Sequence, residues 1–175
     1  NFNSFIFKNL LKYKKAKIGK NFYTEGKIKI SSPKNIYSNL TIGDDVLIMG
    51  DIEFLFRGNG KIMIGNGVKL DSNIRLLSAN DATLEINANT NIGKSTVINT
   101  GADITIGENV LISGNCYIQS SSHSIKRDNI IKLQTHEHSS ISIGNDVWIG
   151  ANSIVLKGVK MSNGSVLGAN SLLNR

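Results

Sequence analysis

In ISIGNDVWIGANSIVLKGVKMSNGSVLGANSLL, residues 141–173, one pattern recurs every six residues. A large apolar residue opens each unit, and a small or β-branched residue follows four positions later. The large residues are Ile143, Ile149, Val155, Met161, Leu167 and Leu173. An amphipathic helix needs apolar steps of three and four residues. The period of six instead predicts a short strand followed by a turn.

A longer period organises the whole chain. Copies of one phrase are LTIGDDV (40–46), IMIGNGV (62–68), LEINANT (84–90), ITIGENV (104–110) and ISIGNDV (141–147). Their central isoleucines are Ile42, Ile64, Ile86, Ile106 and Ile143, which are 22, 22, 20 and 37 residues apart. Three six-residue units make a coil of about 18 residues, and stacked coils place strands about 4.8 Å apart. The separation of 37 therefore predicts one coil plus an inserted loop of about 19 residues.

The composition fits a single folded domain of short strands. The 175 residues include 17 glycines and one proline, which favours tight turns over long helices. Cys116 is the single cysteine, so an internal disulfide is excluded and a reducing, cytoplasmic location is expected. No apolar run approaches the roughly 18 residues of a membrane span. The chain starts at Asn1 rather than at methionine, and the repeat continues to Arg175, so we expect further residues at both ends.

The first residues differ from the rest. The pattern of apolar residues and lysines in residues 1–17 predicts an amphipathic helix that caps the β-helix domain of residues 18–175. Its predicted apolar face contains Phe2, Phe5, Ile6, Asn9 and Leu10. Nine of the twenty basic residues lie in the first 34 positions, namely Lys8, Lys12, Lys14, Lys15, Lys17, Lys20, Lys27, Lys29 and Lys34. Such a cluster can meet an acidic glycan, an anionic membrane or nucleic acid, or can simply be solvated. Solvation is the simplest interpretation; peripheral membrane association is retained, and no nucleic-acid partner is expected.

The main break in the repeat is the loop QSSSHSIKRDNIIKLQTHEHSS, residues 119–140. It contains all three histidines, His123, His136 and His138, and the only tryptophan, Trp148, follows it closely. Because a regular solenoid is a scaffold, function is expected where its regularity breaks. Three histidines can hold zinc, but no thiolate or carboxylate pattern accompanies them, so no metal is expected.

Residues 104–173 resemble the hexapeptide-repeat acetyltransferases of the maltose, galactoside and capsular-polysaccharide type. The resemblance rests on ITIGENVLISGNCYIQSSSHSI, a variable loop and ISIGNDVWIGANSIVLKGV. It implies an all-β fold, a left-handed parallel β-helix shaped as a triangular prism with a short N-terminal helix and one inserted catalytic loop. It also implies a homotrimer with the acetyl-CoA groove between neighbours.

The same resemblance assigns roles to residues. His123 stands where the family has its catalytic base, although Ser124 and Ile125 replace the usual following proline. Imidazole suits this role because it takes and returns a proton near neutral pH. Backbone N–H groups near Gly150 and Ala151 are the candidate oxyanion donors. The candidate cofactor-binding residues are Trp148, Gly150, Ala151, Ala169, Asn174 and Arg175.

The sequence supports more specific expectations for two of these residues, Trp148 and Arg175. Trp148 should face outward, because it follows the inward-facing Val147 on a strand, and should meet a ligand or subunit or pack against the loop. Arg175 stands where the family often has a lysine and is expected to meet a cofactor phosphate.

Several relatives have a site asparagine where this chain has Gly93. Its role cannot be carried over to Gly93, and Asn91 and Asn99 are only nearby candidates for it. Cys116 falls at a core position, where a packing role is expected.

Three function classes compete. The favoured one is an enzyme that moves an acetyl group from acetyl-CoA to a sugar hydroxyl, in a bacterial surface polysaccharide or its precursor. The alternative is an amino-sugar N-acyltransferase on the same scaffold. The nucleotide-sugar N-acetyltransferases often carry an N-terminal α/β domain, which this sequence does not show. A non-catalytic solenoid would show regular threonine ladders and no histidine loop, and the sequence shows the reverse.

Overall fold

Successive six-residue units form strands that turn through three parallel sheets, so that three strands make one coil and seven coils are stacked. The computed structural model describes residues 2–33, 37–127 and 129–174, except the side chains of Phe2 and Asn3. The predicted all-β solenoid of stacked coils with a short N-terminal helix is confirmed.

The strands belong to three seven-stranded sheets and one hairpin. The first sheet contains β1 (Lys17–Ile18), β4 (Leu40–Ile42), β7 (Lys61–Ile64), β10 (Thr83–Ile86), β13 (Ile104–Ile106), β18 (Ile141–Ile143) and β21 (Lys160–Met161). The second contains β2 (Tyr23–Thr24), β5 (Leu47–Ile48), β8 (Lys69–Leu70), β11 (Asn91–Ile92), β14 (Leu111–Ile112), β19 (Trp148–Ile149) and β22 (Val166–Leu167). The third contains β3 (Ile28–Ser31), β6 (Ile52–Phe56), β9 (Ile74–Ser78), β12 (Val97–Thr100), β15 (Tyr117–Gln119), β20 (Ile154–Leu156) and β23 (Leu172–Leu173). The hairpin consists of β16 (Ser121–His123) and β17 (His136–His138).

The five central isoleucines of the repeated phrase stack directly on one another in the first sheet. Ile42 pairs with Ile64, Ile64 with Ile86, Ile86 with Ile106, and Ile106 with Ile143. All five side chains are buried inside the prism. The separation of 37 residues thus leaves the strand register unchanged, because the insertion leaves the coil at a corner. Cys116 is also buried in this core, as predicted, and burial raises the pKa of its thiol.

The glycine and asparagine of the repeated phrase have separate tasks at the corner after the first sheet. A Cβ atom on Gly144 would lie 2.5 Å from Asn163 Oδ1, so only glycine allows the next coil to approach this closely. Asn163 Oδ1 accepts a hydrogen bond from the N–H of Asn145 at 2.8 Å, and Asn145 Oδ1 accepts one from Glu108 at 2.9 Å. Asp146 follows with φ at 54°, a left-handed conformation that Asn and Asp tolerate.

The N-terminal helix α1 spans Phe2–Tyr13, so it is shorter than the predicted 1–17, and Lys17 already belongs to β1. The described side chains of the predicted apolar face do not pack on the coil. Leu11 is buried against the first coil and Ser4 bonds to Thr24, whereas Phe5, Ile6 and Leu10 are exposed. A helix turns 100° per residue, and the Ser4–Leu11 stripe that touches the coil lies opposite the more apolar stripe. Tertiary contact with β1 and β2 therefore outweighs the helix's own apolar pattern.

No helix in the described part of the chain is long and apolar enough to cross a membrane. Of the nine basic residues near the start, Lys34 lies outside the described residues.

Truncation of one stacked isoleucine should test the core. We expect Ile86→Ala to lower the free energy of unfolding by about 2–5 kcal/mol, because the side chain is buried between two coils and leaves a cavity. Urea denaturation followed by circular dichroism measures the change. Glu85→Ala on the same strand is the matched control, since that side chain points outward. Equal effects of the two substitutions would contradict the proposed stacking.

Candidate active site

The inserted segment forms an antiparallel hairpin that branches from the corner between the third and first sheets. β16 follows β15 almost directly, and β17 leads back to β18 in the next coil. A short 3-10 turn, Ile131–Leu133, lies in the connection between the two arms. Gln134 holds this connection, because its Oε1 accepts from the Lys126 N–H at 2.9 Å and its Nε2 donates to the Lys126 carbonyl at 2.7 Å.

Ser120 fixes the base of the hairpin to the coil. Its hydroxyl oxygen accepts hydrogen bonds from the backbone N–H groups of Gly101 at 2.9 Å and Ala102 at 3.0 Å. The same hydroxyl donates to the Ala102 carbonyl at 2.7 Å. On the other arm, the N–H of Ser139 donates to the Ser120 carbonyl at 3.1 Å. Ser120 is fully buried, so these bonds are sheltered from water and position both arms.

The hairpin brings the three histidines together. His123 pairs with His136 across the two strands, and Ser121 pairs with His138. The ring centres of His123 and His136 are 4.1 Å apart, and those of His136 and His138 are 6.2 Å apart. The His123 side chain is exposed, and its imidazole forms no hydrogen bond within the described part of the chain. Both ring nitrogens can therefore reach a ligand.

The histidines line a cavity of about 480 Å³ between the hairpin and the third sheet. The described lining residues are Arg57, Gly58, Leu77, Ala79, Asn80, Asn99, Gly101, Gln119, Ser121, Ser122, His123, His136 and His138. These thirteen include one guanidinium group and no carboxylate. The cavity thus offers many hydrogen-bonding groups, and the fixed charge of its described lining is positive.

A chain of hydrogen bonds joins two lining residues of this cavity to the hairpin. Asn99 Nδ2 donates to Tyr117 Oη at 2.7 Å, and the Tyr117 hydroxyl donates to Gln119 Oε1 at 2.5 Å. Gln119 Nε2 donates in turn to the Ser121 carbonyl at 2.6 Å. Asn99 Oδ1 is buried and has no partner among the described residues. A buried acceptor without a partner is costly, and here it lies in a residue that lines the cavity with His123.

An ion pair holds the outer side of the hairpin. Lys157 Nζ in the sixth coil lies 3.0 Å from Glu137 Oε2 on β17. The hydrogen bond and the positive charge of Lys157 lower the pKa of the Glu137 carboxyl. Glu137 is not a lining residue of the cavity, unlike His136 and His138 on either side of it. The pair therefore connects the hairpin to the coil that follows it.

Trp148 faces outward, as predicted, but it lies on the second sheet. Its indole N–H donates to the Ser113 hydroxyl at 3.2 Å, and about half of the side chain is exposed. In the strand register it lies between Leu111 and Val166, both of which are also exposed. Trp148 does not line the histidine cavity.

The other residues predicted to bind cofactor lie at the corner between the second and third sheets. Gly150, Ala151 and Ala169 follow β19 and β22, and a Cβ atom on Gly150 would lie 2.5 Å from the Ala169 nitrogen. The Gly150 N–H already donates to Leu167 at 2.8 Å, so it is not free for an oxyanion, contrary to the prediction. The Ala151 N–H has no such bond within the described residues. Asn174 is exposed after β23, and Arg175 lies outside the described residues.

One chain therefore presents two separate groups of predicted site residues. His123 lies at the corner between the third and first sheets, and Gly150, Ala151 and Ala169 lie at the corner between the second and third. Sequence reasoning missed Arg57 and the bond chain through Tyr117. The position of Asn99 could be predicted from the repeat, because Asn99 pairs in register with Gln119. The position of Arg57 could not, because Arg57 reaches the cavity from three coils earlier. Within the described residues, no group of three or more His, Cys, Asp or Glu side chains is placed to hold a metal ion.

Two family models match the repeats on either side of the hairpin. The model for the bacterial transferase hexapeptide (six repeats) matches residues 140–175. The model for the hexapeptide repeat of succinyl-transferase matches residues 84–120. Among curated proteins, a probable acetyltransferase of Mycobacterium tuberculosis is 31% identical over 133 residues, which are 65% of this chain and 44% of that protein. The chain therefore carries the hexapeptide repeat of bacterial transferases in residues 84–120 and 140–175, and it is similar to acetyltransferases over part of its length.

Other similar proteins carry more specific names. An Escherichia coli protein that bears the name putative lipopolysaccharide biosynthesis O-acetyl transferase WbbJ is 29% identical over 67% of this chain and 64% of its own length. The galactoside O-acetyltransferase of Escherichia coli is 34% identical over 41% of this chain and 35% of its own length. The chain thus spans about half of the length of these relatives, between 35% and 64%.

Solved structures share the fold at low sequence identity. The polySia-specific acetyltransferase NeuO aligns over 90% of this chain and 66% of its own, with a TM-score of 0.66 and 20% identity. A mutant of the N-acyltransferase AntD from Bacillus cereus, in complex with dTDP-4-amino-4,6-dideoxyglucose and coenzyme A, aligns over 96% of this chain and 78% of its own, with a TM-score of 0.65 and 18% identity. These likenesses establish the solenoid fold.

Removing the lysine of the ion pair should raise the pKa of Glu137. We expect the carboxyl of Glu137 to titrate at higher pH in Lys157→Met, because the hydrogen bond and the charge that favour the carboxylate are gone. Carbon-13 NMR of the glutamate carboxyl groups measures this directly. Because folding lowers the pKa, the pair contributes stability above the ordinary carboxyl pKa and loses it as pH falls through the lowered value. Lys160→Met, an exposed lysine on β21, is the control and should leave the titration unchanged.

Proposed function

We propose that this chain transfers an acetyl group from acetyl-CoA to a sugar hydroxyl, with His123 as the general base. The observation that carries the proposal is the position of His123 on a cavity rich in hydrogen-bonding groups, with ring nitrogens that have no partner among the described residues. The hexapeptide-repeat matches and the similarity to acetyltransferases support the reaction class. The named O-acetyltransferases among the relatives support a sugar of a bacterial surface polysaccharide, or its precursor, as the acceptor. We expect the reaction in the cytoplasm, since the buried free thiol of Cys116 suits a reducing compartment.

The proposed chemistry is direct transfer without a covalent enzyme intermediate. The acceptor oxygen attacks the acetyl carbonyl carbon while a neutral imidazole nitrogen of His123 takes the hydroxyl proton. The tetrahedral intermediate then collapses, the carbon–sulfur bond breaks, and the CoA thiolate takes the proton back from the imidazolium. The Ala151 N–H is the proposed donor to the oxyanion, because the Gly150 N–H is held in the sheet.

The cavity around His123 is the proposed acceptor site. Asn99 Oδ1 gains a partner if an acceptor hydroxyl donates to it, which removes the cost of a buried orphan acceptor. A sugar presents hydroxyl donors and acceptors, and Asn80, Gln119 and the two serines of β16 provide complementary groups. The described lining residues contain no carboxylate to hold a protonated amine, and this favours an alcohol acceptor over the amino sugar of an N-acyltransferase.

Acetyl-CoA is proposed to lie along the corner that carries Ala151 and Ala169. Small side chains there let a thin pantetheine arm approach the backbone, and the exposed indole of Trp148 supplies an apolar surface beside it. Asn174 and Arg175 are the proposed contacts to the distal part of CoA, and a guanidinium suits its phosphates.

A homotrimer is proposed because the two groups of site residues lie at different corners of one chain. The outer faces support it. Leu111, Trp148 and Val166 form an apolar ladder on the second sheet, and Tyr117, Ile154 and Leu172 form one on the third. The equivalent positions on the first sheet are polar at Thr105, Ser142 and Lys160. Packing the apolar faces around a threefold axis buries them and brings His123 of one copy near Trp148 of another.

Replacing the proposed base should slow the chemistry selectively. We expect His123→Ala to lower kcat by roughly 10²–10⁴-fold, the usual loss for a general base. The KM for acetyl-CoA should change little, because the imidazole acts on the acceptor hydroxyl. Free-thiol release with sugar acceptors measures both quantities. His138→Ala is the matched control on the same hairpin and should cost much less. A fully active, folded His123→Ala protein would remove the proposed mechanism.

Sharing of one site between two chains can be tested by mixing inactive variants. His123→Ala and Trp148→Ala are each expected to be poorly active, but co-expressed chains should regain activity, since roughly a quarter of the sites in random trimers would combine an intact histidine with an intact tryptophan. No recovery in trimers that contain both chains would show that the residues do not work across an interface.

The apolar faces themselves predict the oligomeric state. We expect Ile154→Asp with Leu172→Asp to convert the trimer to monomers, because two charges would be buried in the interface. Light scattering after size exclusion measures the mass. Met63→Asp on the first sheet is a matched exposed substitution and should remain trimeric. A wild-type monomer at assay concentration would contradict the trimer.

A further inference from the structure

Helix α1 turns its more apolar side away from the protein. Phe5 is 69% exposed, Ile6 44%, Leu10 46% and Tyr13 83%. At 100° per residue these four positions fall on one half of the helix surface. Scattered exposed apolar residues are ordinary, but four large ones on one helix face form a patch that calls for a partner.

The side of α1 that touches the solenoid is already satisfied. Leu11 is 1% exposed and packs into the end of the core. Ser4 Oγ donates to the Thr24 carbonyl at 3.1 Å and accepts from the Thr24 N–H at 2.9 Å. These contacts fix the rotation of the helix, so the outer apolar face does not turn into the core.

Positive charge surrounds this face. Residues 1–24 contain six lysines and no aspartate or glutamate, whereas the remaining 14 basic and 13 acidic residues nearly cancel. None of these six lysines is in an ion pair within the described part of the chain. Lys8 and Lys12 lie on the flank of the helix beside the apolar face, and Lys15, Lys17 and Lys20 are exposed in the segment that follows it.

We propose that α1 binds the surface of an anionic lipid bilayer, with its axis parallel to the membrane. Phe5, Ile6, Leu10 and Tyr13 enter the boundary between headgroups and acyl chains, and the lysines contact lipid phosphates. The helix has 12 residues, so it is about 18 Å long, which is sufficient to lie in the interface and too short to cross it.

The combination of the two features favours lipid over other partners. A second copy would cover the apolar face but would bring two sets of six lysines together, at an electrostatic cost. Nucleic acid would neutralise the lysines but would leave four large apolar side chains in water. An anionic bilayer satisfies both at once, because its headgroups are negative and its interior is apolar.

Co-sedimentation of the full chain with vesicles tests the proposal. We expect binding to phosphatidylcholine vesicles that contain about 30% phosphatidylglycerol, an anionic lipid, which gives the vesicles a negative surface charge like that of a bacterial membrane. Binding to vesicles of pure phosphatidylcholine should be much weaker. Phe5→Ser with Leu10→Ser, and separately Lys12→Glu with Lys17→Glu, should each weaken binding at least roughly tenfold, because each removes one of the two attractions. Added salt should weaken the binding of the wild type.

Two matched controls make the outcome decisive. Met63→Ser removes an exposed apolar side chain of the first sheet, outside the proposed trimer interface, and Lys61→Glu with Lys94→Glu makes the same charge change in the third and fourth coils. Both should bind vesicles like the wild type. In addition, the emission of Phe5→Trp in a Trp148→Phe background should shift to shorter wavelength on anionic vesicles, because the indole leaves water.

Several results would overturn the proposal. Binding that ignores the helix variants, or that is equal on neutral vesicles, would exclude an anionic membrane as the partner. Loss of self-association in lipid-free buffer with Phe5→Ser and Leu10→Ser would identify a second copy as the occupant. Since the readout is lipid binding, failure here leaves the proposed acetyl transfer unaffected, and an inactive enzyme leaves the membrane result valid.

Discussion

Stacking of identical aliphatic positions in successive coils is the interaction on which the other features depend. Each strand of two to five residues is too short to be stable alone, and each coil buries its apolar side chains only against its neighbours. Ile86, for example, contacts the coils before and after it through Ile64 and Ile106. The ladder fixes the register, and the register fixes which residues of the corners and outer faces lie side by side.

The candidate site follows from that register at one corner. Asn99 and Gln119 come together because β12 and β15 are neighbouring strands, although the residues are 20 positions apart. The hairpin can reach back over the cavity because Ser120 holds its base against the turn at Gly101 and Ala102. A buried hydroxyl with three backbone partners thus converts a long insertion into a defined wall that carries His123. Rigid support of this type is what positions a catalytic side chain within the tolerance that catalysis requires.

The sequence predicted the repeat and the insertion because both depend on local spacing. The central isoleucines, the outward direction of Trp148 and the burial of Cys116 follow from strand alternation and the six-residue period. The side of α1 that packs on the coil could not be predicted, because Leu11 and Ser4 meet a coil surface whose shape no helical pattern encodes. Arg57 could not be predicted either. It reaches the cavity only because the hairpin folds back along the prism, and the direction of an insertion is set by tertiary contacts.

The placement of the hairpin at a corner also bears on how such proteins diversify. Thr105 remains paired with Ser142 although the inserted segment lies between them, so the strand register of the solenoid does not depend on the length of that segment. A single residue inserted within a strand would instead exchange the inner and outer faces of everything that follows in it. Evolution can therefore lengthen, shorten or exchange this one segment while the solenoid stays intact. Mutations in the hairpin can then change which acceptor is recognised while the stacked coils, and with them the fold, are preserved.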